Sequence, residues 1–357
     1  MDKLRNDFEQ FIMGIEIPHN LSIQEEQDLH TQIFDYCLNI TPNSLYRYRS
    51  CVNHNIDAFK NDKLLLTKPT TFNDPYDALL FVDKNKILDQ IYSISLQESN
   101  ERINRLLNDN NYRKHEEEKL GKDFIEKIIE NALHNKRQKI PQSDLWEFQK
   151  KHQEHRINLI MELSLKSLRQ CALVGCFSED VDSILMWSHY ASNHTGFVLN
   201  YDFKELYCID IGLEKVKGSH FLDKKIFPVL YKKERFDATY YVEFHLIDDF
   251  YRGLGLTYHY PFFDKLFYYK FFLCKSTEWE YEKEWTIIKM TNIDIDNKSD
   301  FEYIDNIKPK EIYLGTDISE KNKSILIDIA KYKNIKIFQM QIDFTERSYK
   351  LKYERIN

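Results

Sequence analysis

The stretch Lys275–Ile288, KSTEWEYEKEWTII, decides how the rest of the chain is read. Taken as a β-strand it sorts onto two faces, because successive side chains alternate. One face takes Trp279, Tyr281, Lys283, Trp285 and Ile287. The other takes Glu278, Glu280, Glu282 and Glu284, then Thr286 and Ile288. Like charges opposed on a sheet cost roughly 0.2–1 kcal/mol per pair, so this face must be solvated or meet cations. A helix with Tyr281 over Trp285 is the competing reading, and the β-branched residues in Thr286–Ile288 favour the strand. The strand reading predicts Glu284 in a cleft, with Trp279, Tyr281 and Trp285 buried on the opposite side.

Composition narrows the class. The chain has 357 residues, 42% hydrophobic and 30% charged, which fits a globular protein with a real core. Gly numbers only 9, and neither GxGxxG nor GxxxxGKS/T occurs, which closes the Rossmann and P-loop routes. The net charge of −7 argues against a general nucleic-acid binder. Six cysteines without a CxxC pair argue against a zinc site and fit free thiols in a reducing cytoplasm. MDKLRNDFEQ does not read as a signal peptide, and no long apolar run predicts a membrane span.

Along the chain, residues 1–42 read as helices, with Ser22 and Glu25 as a capping box. Leu45–Arg49 reads as a short strand and Phe72–Asp77, FNDPYD, as a rigid turn. Residues 84–170 are charged and poor in Gly and Pro, and predict a helical insertion. Ala172–Ser178 reads as a buried strand, Ile184–Ala191 as a short helix, and Phe197–Tyr201 as another strand. Ser178 with His189 invites a hydrolase triad, but no GxSxG surrounds the serine. The expectation is therefore an α+β fold: helices at 1–42, one core domain over 43–342 carrying the insertion 84–170, and a mixed-charge tail at 343–357.

Six motifs resemble, in order, the bacterial family called domain of unknown function 2971. They are LYRY at 45–48, FNDPYD at 72–77, CFS at 176–178, LMWSHYA at 185–191, HTG at 194–196 and KSTEWEYEKEW at 275–285. The resemblance spans roughly residues 45–315. The pattern order is also similar to the ADP-ribosyltransferase fold, a mixed split sheet in which a late strand begins with the catalytic glutamate. That likeness implies NAD as cofactor, with Glu284 catalytic and Glu282 its partner in an E-x-E pair. It implies a cofactor site of Tyr46, Arg47, Tyr48, Asn73, Asp74, Ser178, Trp187, His189 and Tyr190. The His-Gly-Thr and Ser-Thr-Ser motifs of such enzymes are absent.

The implied chemistry suits these residue types. Breaking the nicotinamide–ribose bond develops positive charge on the ribose, as in glycosidases. A fixed carboxylate, Glu284, stabilises that charge, an effect worth on the order of 3–4 kcal/mol for a single group. Glu282 orients or deprotonates the acceptor, Arg47 pairs with the pyrophosphate, and Tyr46, Tyr48, Trp187 or Tyr190 stacks on a ring. The implied function is ADP-ribose transfer to a macromolecular acceptor, protein or nucleic acid, in a toxin or phage-defence setting. The alternatives are an NAD glycohydrolase, a metal-dependent nuclease built on Asp74, Asp77, Glu282 and Glu284, and a non-catalytic interaction module.

Overall fold

A computed structural model describes residues 3–18, 20–137, 154–155, 157–159, 161–163, 166–209, 225–253, 264–291, 299–345 and 347–356. Its strands are β1 (Leu45–Arg49), β2 (Leu64–Thr67), β3 (Ala172–Ser178), β4 (Phe197–Tyr201), β5 (Ile226–Pro228), β6 (Leu230–Lys232), β7 (Cys274–Ser276), β8 (Glu284–Met290), β9 (Phe301–Ile304), β10 (Glu311–Leu314), β11 (Lys336–Ile342) and β12 (Leu351–Ile356). Ten of them form one sheet in the order β12-β11-β10-β4-β1-β3-β2-β9, with β8 on β3 and β5 on β8. The sheet is mixed: β10 and β11 run parallel, joined through the helix Glu320–Tyr332, and the other pairs are antiparallel. β6 and β7 make a separate parallel pair. Helices and a mixed sheet together match the α+β expectation. No helix among the described residues is long and apolar enough to cross a membrane.

The chain divides into two compact units. The first holds residues 1–80, 166–236 and 262–357, and contains the sheet. Its core packs Phe177, Tyr201, Phe203, Trp285 and Ile287 with Leu326 and Ala330 of the helix Glu320–Tyr332. The capping box before the helix Ile23–Ile40 forms as read: Ser22 accepts from the Glu25 amide, and Glu25 reaches back to Ser22. The second unit holds residues 81–165 and 237–261. It includes the helices Lys84–Asn108, Asn110–Leu120, Lys122–Arg137 and Thr239–Gly253. Asp83 and Asp109 cap the first two, and Leu106, Ile125 and Ile129 form a small core. Residues 138–153 of the expected insertion lie outside the described residues.

The sheet parts around β3, and this positions the site. β3 pairs with β8 along all seven residues, but meets β1 only at Tyr46↔Ser178 and β2 only at Thr67↔Val174. β1 instead follows β4 along its whole length. A gap therefore opens between β1 and β2 beside β3. The helix Ile184–Tyr190 is fixed near it by a turn in which Ser192, Asn193 and His194 are all left-handed, with φ of 49°, 53° and 66°. The His194 carbonyl accepts from the Asp317 amide at 3.1 Å. Only glycine fits at 315 beside this turn, since a Cβ there would lie 2.0 Å from the same carbonyl oxygen.

Two expectations are corrected. Lys275–Ile288 is not one strand. β7 ends at Ser276, a 3-10 helix runs over Thr277–Glu282, and β8 starts at Glu284. Ser276 accepts from the Glu278 amide and so caps the helix, which interrupts the alternation. Glu278 and Glu280 are exposed rather than aligned with Glu282 and Glu284, and Trp279 and Tyr281 are only partly buried. Nor are residues 343–357 merely a tail, because β12 pairs with β11 over six residues and closes one edge of the sheet.

Candidate functional site: a lysine-centred carboxylate cavity

The turn that breaks the expected strand also builds the site. Lys283 ends the 3-10 helix in the left-handed region, at φ 44° and ψ 52°. The carboxylates on either side of it converge on one cation. Lys275 Nζ donates to Glu282 Oε2 at 2.6 Å and to Glu284 Oε2 at 2.7 Å. Glu282 and Glu284 are only 4% and 6% exposed. Their backbones are held as well. Ser178 Oγ donates to the Glu282 carbonyl at 2.7 Å, and the Glu284 amide donates to the Tyr231 hydroxyl at 2.6 Å. Arg5 and the Val229 amide both donate to the Glu284 carbonyl.

One ammonium cannot neutralise several buried carboxylates, and their proton affinities separate accordingly. Burial pushes Glu282 up to about 7 against the pull of Lys275. Burial also opposes ionisation of Glu284, but Lys275 and hydrogen bonds from Cys176, Lys275 and Glu282 outweigh it, holding this group below its ordinary value. Asp77, on the same cavity, is pushed up to about 7 by burial, with Glu284, Asp74 and Glu282 adding to the effect and Lys275 opposing it. Burial opposes the charge on Lys275, yet Glu284, Glu282 and Asp77 hold it well above the ordinary lysine range.

These groups line a cavity of about 450 Å³. Of the residues expected from sequence, Tyr46, Arg47, Tyr48, Asn73, Ser178, His189, Tyr190, Glu282 and Glu284 lie on its wall. Asp74 and Trp187 do not. Asp74 is buried in the turn, where one carboxylate oxygen accepts from the Tyr76 amide at 2.8 Å. Trp187 is fully buried, donates to the Val181 carbonyl at 2.7 Å and packs edge-on to Tyr48. Its size and indole N–H serve the core, so it does not stack on a ligand. Ser178 is committed to the Glu282 backbone, which removes it as a triad nucleophile.

Arg47 spans the gap in the sheet. Its guanidinium donates to the Leu65 carbonyl and lies over the Phe177 ring, 5.3 Å from the centroid. Nε and Nη1 are buried with no hydrogen-bond partner among the described residues, in a side chain 6% exposed. Burial, with Arg49 adding to it, disfavours the charge. An arginine held this way is ready to donate to an anion. Strand parity sends Arg47 and Glu284 to opposite faces, and the open ladder lets both meet the same cavity.

Lys275, Arg49 and Cys176 also line the cavity, and the sequence reading assigned none of them to a site; Asp77 is there too, expected only as a ligand in the nuclease alternative. The signal for Lys275 was present, since a run of carboxylates calls for a cation and this lysine heads the run. A strand register placed it on the tryptophan side. The point where Glu282 and Glu284 converge, the natural seat for a metal in a nuclease reading, is occupied by its ammonium.

Residues 186–287 match a family model described as Protein of unknown function (DUF2971). That span includes Tyr190, Lys275, Glu282 and Glu284, and it supports the resemblance drawn from the motifs. No curated protein and no solved structure matches the chain.

Proposed function

We propose that the cavity binds NAD and that the protein is an ADP-ribosyltransferase acting on a macromolecular acceptor. One observation carries the reading. Two buried glutamates with proton affinities moved apart share a cavity with an arginine whose buried Nε and Nη1 have no hydrogen-bond partner among the described residues. Environments that separate paired carboxyl groups assign a base and an ionised stabiliser at one site. The residues fit the ligand: Arg47 offers two donor nitrogens to phosphate oxygens, and Tyr46 and His189 offer rings on the cavity wall. A cavity of about 450 Å³ is within the usual range for ligand sites.

Bound NAD supplies a nicotinamide–ribose bond whose cleavage builds positive charge on the ribose. Glu284, ionised and fixed by Lys275 and Cys176, provides the matching negative charge. Glu282, titrating near neutrality, takes the proton of the attacking group. Lys275 stays protonated and keeps both carboxylates in place.

Labelled NAD incubated with the protein and cell lysate tests this. Nicotinamide release with label on a macromolecule is the expected outcome, and Glu284→Gln should abolish both while leaving the thermal melt cooperative. Release without a labelled macromolecule points to glycohydrolysis. A fully active Glu284→Gln protein, or a wild type that leaves NAD intact, refutes the reading.

A further inference from the structure

Tyr190 lies on the cavity wall, where a ring that stacks on a ligand would present its face. Its hydroxyl has a different engagement. It donates to Glu282 Oε1 at 2.5 Å and accepts from Asn73 Nδ2 at 3.4 Å. The two oxygens of Glu282 thus have different neighbours: Oε1 faces Tyr190, and Oε2 faces Lys275 at 2.6 Å. Asn73 is exposed, Tyr190 is half-buried and Glu282 is buried, so the chain Asn73–Tyr190–Glu282 runs from the protein surface inward. Glu284 shares Lys275 with Glu282, and its further hydrogen-bond partners are the Cys176 thiol and Glu282 itself.

We propose that protons enter and leave Glu282 through the Tyr190 hydroxyl, so that the base of this site is a Tyr190–Glu282 relay, with Lys275 the positioning residue that keeps Glu284 ionised beside it. The inference rests on the cavity being the reaction site. In the forward direction Tyr190 takes the proton of an attacking hydroxyl or amine as it hands its own proton to Glu282 Oε1. The acceptor–ribose bond forms, the nicotinamide–ribose bond breaks with its electron pair leaving on nicotinamide, and Tyr190 ends neutral. A free tyrosinate is disfavoured here, because burial and the charge of Glu282 both raise the Tyr190 hydroxyl above its ordinary value. The two proton movements are therefore concerted. The ionisable groups facing Glu282 are Lys275, Glu284, Asp77, Tyr190 and Tyr281, with Asp74 acting on Asp77 behind them.

The test pairs a titration with kinetics on the full chain. Carboxyl carbons of Glu282 and Glu284 are followed by NMR against pH in wild type, Tyr190→Phe, Lys275→Met and Lys275→Arg. Phenylalanine keeps the ring and removes only the hydroxyl, so it separates a relay from a stacking platform. Losing a donor to the charged form should move Glu282 upward by about one pH unit and shift Glu284, which is linked to it, by less. Nicotinamide release by Tyr190→Phe should fall about 100-fold in kcat, the low end for losing a base, with KM nearly unchanged. Lys275→Met should raise the Glu284 titration, and Lys275→Arg should bring it back. If Lys275→Met does not fold, the tyrosine variant decides alone. A Tyr190→Phe protein that titrates and turns over like wild type overturns the relay and leaves the NAD reading standing. The expected titrations in a protein that releases no nicotinamide do the reverse.

Discussion

Glu282→Gln isolates the proton that the cavity holds near neutrality. Glutamine matches the shape of protonated glutamate and carries no charge at any pH. In the folded protein Glu282 titrates at about 7 rather than at its ordinary 4.5. A carboxyl raised by folding binds its proton more tightly in the native state. Its contribution to stability is therefore full below the unfolded value and is lost as pH rises through the folded one. At ~1.4 kcal/mol per pH unit, the wild type should lose ~2–3 kcal/mol through this group between about pH 5 and about pH 8. Asp77, also raised to about 7, contributes with the same sign in both proteins and largely cancels in the comparison. Urea denaturation at the two pH values measures the difference directly. The variant should match wild type at the acid end and exceed it at the alkaline end by that amount. An equal pH slope in the two proteins refutes the reasoning. A variant that loses ground as pH rises refutes it more strongly, because it would mean that Lys275 holds Glu282 ionised.

Substitutions at two further positions probe how the site is built. Trp285 is fully buried against Phe177 and Ile287, and its indole N–H donates to Glu179 at 2.6 Å, so Trp285→Ala should cost ~3–5 kcal/mol, read as a lower urea midpoint. Lys283 sits at φ 44°, a conformation unfavourable by ~1–2 kcal/mol for a residue with a Cβ, and its half-exposed ion pair to Asp180 adds little. Lys283→Gly should therefore raise the thermal midpoint, while Lys283→Val should lower it and pull Glu282 away from Lys275; equal melts for the two variants would reject this account of the turn.

Some features were readable from residue order because they depend on neighbours in the chain. The capping box at Ser22 and Glu25 needs only one helical turn. The division between Glu284, in the cavity, and Trp285, in the core, follows from the two-residue period, which holds along β8. The period fails over Thr277–Glu282. There Ser276 offers its hydroxyl to the Glu278 amide, and Lys283 takes a left-handed backbone that lysine does not advertise. β12 was illegible for a different reason: its mixed charges look like a tail until the edge of β11 supplies the hydrogen bonds.

The site itself belongs to the tertiary structure. The residue types were visible in sequence: an arginine between tyrosines, a rigid acidic turn and a run of glutamates. Residue order alone could not say that Trp187 fills the core while Asp77 and Cys176 reach the cavity, because burial is set by what packs from elsewhere. It could not say that the sheet parts around β3, because each strand's ladder depends on partners far along the chain. Nor could it say which carboxylate keeps a proton. That depends on one ammonium reaching two glutamates at 2.6 and 2.7 Å inside a region from which folding has removed most of the water, and desolvation exists only once the chain has closed around it.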